Sequence, residues 1–166
     1  RLFGDKHWND PLRWDEKAKK SGRRLRVFPS MMDPFEEHPA LVEPRARFFH
    51  LIDVTPYLDW LLLTKRPENI LGMLPERWLQ NGFPANIWWG TSAENQECLD
   101  KRAEFLEQIG ARARHHDWAE PITFWSLEPL LGPIDCHFWN PSNPQSEGEW
   151  RASVEGVGVI GKRRPP

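Results

Sequence analysis

Four short apolar segments recur along the chain, and their spacing limits the choice of fold more than any other feature. They begin near residues 25, 59, 86 and 122. One strand followed by one crossover helix takes roughly 30 residues or more, so this period is typical of βαβ units. Such crossovers place consecutive strands parallel and are right-handed. The sequence therefore predicts an α/β fold with a parallel sheet and flanking helices.

The second segment is the most informative of the predicted strands. Segment 59–64 reads Asp-Trp-Leu-Leu-Leu-Thr, and such a near-continuous apolar run is typical of a strand buried on both faces. The other predicted strands lie at 25–30, 86–92 and 121–127. A fifth and weaker strand is predicted at 157–160, where a glycine interrupts the apolar run.

Apolar side chains at helical spacing place helices between these strands. One helix follows Pro44, and a second begins at Pro67 and is broken in two by Pro75. The strongest helical pattern covers residues 99–109, where Arg102 shares the spacing of the apolar side chains.

The two ends of the chain predict less regular structure. Residues 1–23 are aromatic and basic with an Asn-Asp-Pro turn signal, which predicts an irregular entry segment. Residues 24–139 hold the strand and helix pattern. Residues 140–166 predict a polar surface loop followed by the weak strand and a tail. Because the chain starts with Arg1 and ends in a basic, proline-rich stretch, we expect it to be a fragment of a longer protein.

Composition excludes several classes of protein. The chain has 22 basic and 24 acidic residues and a net charge of −2, which is unlike a disordered acidic tail or a strongly basic nucleic-acid coat. No apolar run approaches ~18 residues, so we expect no membrane span. Two cysteines and no signal-peptide pattern indicate a cytoplasmic, reducing compartment. Cys98 and Cys136 lack metal-ligand spacing, so no metal site is predicted.

Polar side chains cluster directly after the four predicted strands. Because the carboxyl ends of parallel strands share one edge of a sheet, these side chains should form a polar ring around one shared cavity. For Ser30, Asp33, Ser92 and Asn95 the alternative is that they are helix caps and turn formers. The candidate site residues are Ser30, Asp33, Lys65, Arg66, Ser92, Glu94, Gln96 and Glu128.

Glu128 is the candidate with the strongest physical argument. It follows the apolar pair Phe124-Trp125 and precedes a proline and two leucines, so its surroundings should be dry. A partly buried carboxylate needs a cation or hydrogen-bond donors. Lys65 or Arg66 should therefore lie within reach of Glu128 or Glu94. Lys65 and Glu128 are the candidate catalytic pair, and the alternative is that such a pair is purely structural.

Several of these segments together carry a resemblance to a known family. In order and spacing the chain resembles the phage gene-product 37/68 family, a family of unknown function found in phages and bacteria. That family is similar to radical S-adenosylmethionine proteins, among which spore photoproduct lyase is a recognisable relative. The segments that carry the resemblance are residues 3–14, 27–33, 63–68, 89–96 and 127–135.

The resemblance implies an incomplete (β/α) barrel that uses S-adenosylmethionine and an iron–sulfur cluster. Family members ligate the cluster with a cysteine motif upstream of the segment that begins this chain, so the resemblance implies a cluster that these residues do not hold. It also implies cofactor-binding roles for part of the polar ring, with Lys65 or Arg66 near a carboxylate or a substrate phosphate. Those cofactor-binding residues are Ser30, Asp33, Arg66, Ser92, Glu94, Gln96 and, as a hydrogen-bond partner, Glu128.

Two functions therefore stay open from the sequence. The first is an enzyme fragment that contributes the cofactor- and substrate-facing wall of a barrel. The second is a non-catalytic accessory module that binds nucleic acid or a protein through the basic stretch 17–26 and exposed tryptophans. The basic stretch is equally explained as a solvated helix face. Trp8 and Trp14 are among the tryptophans outside the predicted strands, where they are free to face a ligand.

Overall fold

A computed structural model describes residues 5–29, 32–132, 134 and 159–161 of the chain. Short 3-10 turns at Pro39–Leu41 and Pro67–Asn69 precede the second and third helices. The elements in chain order are α1 (Asp5–Ser21), β1 (Leu25–Val27), α2 (Val42–Asp53), β2 (Leu58–Thr64), α3 (Ile70–Met73), α4 (Glu76–Asn81), β3 (Ile87–Ser92), α5 (Gln96–His115), β4 (Ile122–Ser126) and β5 (Val159–Gly161).

The strands form one sheet in the order β1-β2-β3-β4-β5. Strands β1 to β4 are parallel, with Leu63 opposite Gly90 and Gly90 opposite Phe124. Strand β5 pairs with β4 in the antiparallel sense. The predicted parallel α/β sheet with flanking helices is confirmed. Among the described strands β1 and β5 are edge strands, so the barrel stays a prediction.

Burial along β2 differs from the prediction of a strand covered on both faces. Leu58, Trp60, Leu62 and Thr64 are buried, whereas the alternate side chains are only partly covered. One face of the sheet carries the main core, in which Trp89 packs against Phe35 with ring centroids 6.4 Å apart. Alternate side chains of β2 therefore lie on a fully buried face and on a partly buried face of the sheet.

Prolines lie near the predicted helix boundaries, although α2 begins at Val42, two residues before Pro44. Pro44 lies in the first turn of α2, where its missing N–H removes no hydrogen bond. Pro67 opens the turn before α3. Pro75, with an extended ψ of 142°, separates α3 from α4, so the broken helix is confirmed.

The prediction of an irregular segment over residues 1–23 is wrong, because α1 occupies Asp5–Ser21. Pro11, which belongs to the predicted turn, lies inside the helix and is buried. Asp15 and Ala18 are buried on the same helix face, and Asp15 Oδ1 accepts a hydrogen bond from the Tyr57 amide at 2.7 Å. Packing against the sheet stabilises a helix that local turn signals argue against.

Asn95 caps the longest helix. Its φ of −156° is extended, and its Oδ1 accepts a hydrogen bond from the Cys98 amide at 2.9 Å. The capping alternative is therefore confirmed for Asn95. Loss of an N-cap side chain costs about 1 kcal/mol. We expect Asn95→Ala to lower the free energy of unfolding in urea by about that amount. Asn95→Ser, which keeps an acceptor, should recover most of the loss, and equal losses in both variants would contradict the assignment.

The predictions for the carboxyl-terminal part of the chain are tested only in part. The predicted loop at 140–150 lies outside the described residues. The predicted strand at 157–160 overlaps β5, of which the backbone of Val159–Gly161 is described. Among the helices that the structure describes, none has the length and apolar character needed to cross a bilayer.

Candidate functional site

The carboxyl ends of β1 to β4 lie on one edge of the sheet, called here the carboxyl edge. Two backbone hydrogen bonds hold the segments that follow β3 and β4 together. The Ala93 amide donates to the Ser126 carbonyl at 2.9 Å, and the Leu131 amide donates to the Glu94 carbonyl at 2.8 Å. Residues that are distant in sequence are thereby brought side by side, as a site at the ends of parallel strands requires.

Glu94 is the centre of an ion cluster at the carboxyl edge. Lys65, which follows β2, donates from Nζ to Glu94 Oε1. Arg102 of α5 donates from Nη1 to Glu94 Oε2 at 2.9 Å and to the Ser92 carbonyl at 2.6 Å. The side chains of Glu94 and Arg102 are only 13% and 19% exposed. The cluster therefore joins β2, β3 and α5 through one largely buried carboxylate.

Lys65 and Arg102 stabilise the negative charge of Glu94. Partial burial raises the pKa of this carboxyl, but hydrogen bonds from Lys65 and Arg102 and the Arg102 charge outweigh that effect. The resulting pKa is about 2, against an ordinary value of 4.5. Glu94 is consequently an anion at every physiological pH, which suits it to hold Lys65 and Arg102 in place rather than to transfer protons.

Arg66 and Asp33 form a second pair, which ties the segment after β1 to the end of β2. Arg66 Nη1 donates to Asp33 Oδ2 at 3.0 Å. The other oxygen, Asp33 Oδ1, accepts from the Phe35 amide at 3.0 Å. Both carboxylate oxygens are therefore used, and the pair orders the loop beside the carboxyl edge.

Glu128 stands apart from both pairs. Its side chain is partly buried, and Oε1 is buried without any hydrogen-bond partner among the described residues. A buried carboxylate oxygen with no donor is costly, because the water it loses is not replaced. The expectation that Lys65 or Arg66 reaches Glu94 or Glu128 is met by the Lys65–Glu94 pair. Oε1 of Glu128 has no partner in the part of the chain that the structure describes.

The chain matches the model of a protein family described as "Protein of unknown function (DUF5131)" over residues 1–150. The chain belongs to this family. Searches of curated proteins and of solved structures give no match. The DUF5131 match covers β1 to β4 and every candidate site residue, so the carboxyl edge is part of what the family model describes.

The remaining candidate residues of this DUF5131 chain differ in burial and in their hydrogen-bond partners. Ser92 is buried at the end of β3, and its carbonyl is engaged by Arg102. Gln96 Nε2 donates to Asp100 Oδ1 at 2.7 Å, along its own helix. Ser30 lies outside the described residues. The edge thus brings Asp33, Arg66, Lys65, Ser92, Glu94 and Glu128 to one side of the sheet, and their roles in a site stay predictions.

Arg102 is the member of the ion cluster that the candidate residues of the sequence do not include. The sequence does mark this residue, because Arg102 is a cation at the helical spacing of Leu99, Leu106 and Ile109, which are buried on α5. A charged side chain on an apolar helix face needs a partner, and here Glu94 is that partner.

Cysteine and histidine positions bear on the implied iron–sulfur cluster. Within the described ranges no three His, Cys, Asp or Glu side chains group closely enough to hold a metal ion. Cys98 is a free, half-buried thiol on α5, and Cys136 lies outside these ranges. Such clusters are usually held by three or four cysteine thiolates, and the chain has two cysteines.

Proposed function

We propose that this chain forms the cofactor- and substrate-facing wall of a partial (β/α) barrel in an enzyme that resembles radical S-adenosylmethionine proteins. The described fold supports it, because four parallel strands present their carboxyl ends at one edge, where sites in such folds are built. The polar groups that follow three of these strands support it further.

The observation that carries the proposal is the buried Oε1 of Glu128, which has no hydrogen-bond partner among the described residues. S-Adenosylmethionine has an amino-acid end with a cationic amino group and a carboxylate. A buried carboxylate oxygen without a donor suits the amino group, and the half-exposed Lys65 and Arg66 suit the carboxylate. The polar groups of the carboxyl edge therefore suit the cofactor, whereas two cysteines are fewer than an iron–sulfur cluster usually needs.

In the proposed enzyme the residues of this chain bind and orient, while S-adenosylmethionine supplies the reactive chemistry when it is bound. Glu128 would accept a hydrogen bond from the cofactor's amino group. Glu94, which is ionised and held from both sides, fixes the Lys65 side chain beside the edge. Preorganisation of this kind lowers the cost of ordering the ligand.

The test is calorimetric binding of S-adenosylmethionine to the chain and to Glu128→Gln. Hydrogen bonds to charged groups contribute about 1.5–3 kcal/mol, so we expect the variant to bind at least about tenfold more weakly. Glu104→Gln removes a carboxylate from an exposed position of α5 and should bind as the wild type does. Equal affinity of Glu128→Gln and the wild type would contradict the proposal.

Stability separates a binding role for Glu128 from a structural one. Because its Oε1 has no described partner, Glu128→Gln should leave the free energy of unfolding unchanged or slightly higher in the absence of cofactor. Strong unfolding would indicate a structural carboxylate. Anaerobic iron–sulfur reconstitution of the product of the complete reading frame, followed by a cofactor-cleavage assay, then tests the enzyme itself.

The alternative of an accessory module that binds through the whole basic stretch 17–26 has less support. Arg24 donates to Asp59 at 2.6 Å, and Arg26 lies over the ring of Trp88 at 4.8 Å. Lys19 lies 5.9 Å from the ring of Tyr57. Half of the six cations in this stretch are therefore engaged by the fold itself.

A further inference from the structure

An aromatic cavity lies beside the carboxyl end of β1, between α1 and α2. Its volume is about 340 Å³, within the ~300–1,000 Å³ range of small-molecule pockets. Two of its aromatic walls remain open to solvent, with Trp14 42% and Phe28 47% exposed. Its lining includes Trp8, Trp14, Phe28, Met32, Phe48 and Trp60. So many flat, apolar faces around one cavity suit a planar ring.

Positive charge borders this cavity along α1. Lys17 and Lys20 follow Trp14 at intervals of three residues, so the three side chains form one row on the helix surface. Both lysines are exposed, and no carboxylate of the described residues pairs with them. They line a second depression on α1 together with Glu16 and with Arg13, and Arg13 is paired with Asp10. On the other side, the Arg47 guanidinium lies 4.6 Å from the ring of Trp8.

The acidic group that lines the aromatic cavity is already neutralised. Asp10 is paired with Arg13, and His7 Nδ1 lies 3.9 Å from its other oxygen. The formal charges of the side chains that line the two depressions, together with that of Arg47, add to a net positive charge, which favours an anionic ligand. A planar ring attached to negative charge is the chemistry of a nucleotide, and a row of cations next to a stacking platform suits a nucleic-acid strand.

We propose that the aromatic cavity takes an unpaired base of a single-stranded nucleic acid, while Lys17 and Lys20 contact its backbone phosphates. Met32 connects this surface to the carboxyl edge, because the next residue, Asp33, pairs with Arg66. A strand bound here reaches the site proposed for the cofactor, and the substrate class is then nucleic acid. The binding itself needs neither cofactor nor cluster, so it fails or holds independently of the proposed function.

Fluorescence anisotropy with labelled oligothymidylate and oligouridylate of about 12 nucleotides tests the proposal, because single-strand sites span roughly 4–16 nucleotides. Trp14→Ala and Phe28→Ala each remove an exposed ring, and we expect each to weaken binding at least about fivefold, as loss of one stacked base does. Tyr57→Ala removes an exposed ring outside the cavity and should leave the affinity unchanged.

Salt dependence tests the phosphate contacts separately. Each lost contact lowers the slope of log affinity against log salt by about 0.7 for a single strand. The double variant Lys17→Ala/Lys20→Ala should therefore reduce the slope by about 1.4. Lys101→Ala/Arg114→Ala removes the same charge from exposed positions of α5 and should leave the slope unchanged.

Three outcomes would overturn the proposal. The first is absence of binding to either oligonucleotide at low salt. The second is binding that neither Trp14→Ala nor Phe28→Ala weakens while both remain folded by circular dichroism. The third is equal slopes for the two double variants, which would indicate attraction to net charge instead of contacts by Lys17 and Lys20.

Discussion

Replacing Gly90 by alanine is expected to cost about 3 kcal/mol of folding stability or more. Gly90 lies in the middle of β3, opposite Phe124 of β4. A Cβ added at Gly90 would stand 2.1 Å from Phe124 Cζ and 2.4 Å from Cε1. Phe124 is 1% exposed, so its ring has no free space into which it can retreat. Whole domains are stable by only ~5–15 kcal/mol, so the loss would be a large fraction of the total.

Gly72→Ala is the matched control for that variant. Gly72 lies in α3, and nothing stands within 4 Å of the Cβ that alanine would add. Alanine is favoured over glycine in helices by up to about 1 kcal/mol, so this variant should be neutral or more stable. Urea unfolding measures both. Similar midpoints for Gly90→Ala and Gly72→Ala would show that β3 and β4 do not pack as described.

Removing the charge of Glu94 is expected to have the second largest effect, and an effect that depends on pH. The pKa of Glu94 is about 2 in the folded protein against an ordinary 4.5. A carboxyl group whose pKa is lower in the folded state stabilises the protein fully at any pH above its ordinary pKa. That stabilisation is lost as the pH falls through the pKa of the folded state. Allowing for solvent around the half-exposed Lys65, this contribution is about 2 kcal/mol.

The measurement is urea unfolding of wild type and Glu94→Gln between about pH 7 and pH 2. The variant should be less stable at neutral pH, because Lys65 and the largely buried Arg102 lose their anionic partner. The two proteins should converge as pH falls from 4.5 towards 2. Glu97→Gln breaks an exposed pair with Lys101 and should change much less. A constant difference between wild type and Glu94→Gln at all pH values would contradict the ion cluster.

Local pattern was sufficient for most of the sheet and for the helix boundaries. An apolar run such as that of β2 has few stable arrangements other than a covered strand, and proline at positions 67 and 75 restricts the backbone whatever surrounds it. Helix α1 could not be predicted in this way. Its turn-like Asn-Asp-Pro segment becomes helical because Pro11, Asp15 and Ala18 are buried together against the rest of the fold.

The candidate site shows the same division. The sequence predicts Lys65, Glu94 and Glu128 at the carboxyl edge, because parallel strands end on the same side of a sheet. Which cation meets which carboxylate did not follow from it. Arg102 lies in α5, ten residues after Ser92 in the sequence. Its guanidinium donates to both the Ser92 carbonyl and the Glu94 carboxylate. The partner of a charge depends on distances between elements, which local sequence does not encode.

The sequence by itself determined the strand succession, the parallel sheet and the edge at which polar groups collect, because periodicity, proline and chain direction act locally. The tertiary structure alone decided that Glu94 accepts hydrogen bonds from both Lys65 and Arg102, and that Glu128 keeps a buried oxygen with no partner among the described residues. It also decided that Trp14 borders a cavity. Those outcomes depend on how side chains from separate elements pack and exclude water. Burial and pairing of that kind are properties of the assembled fold.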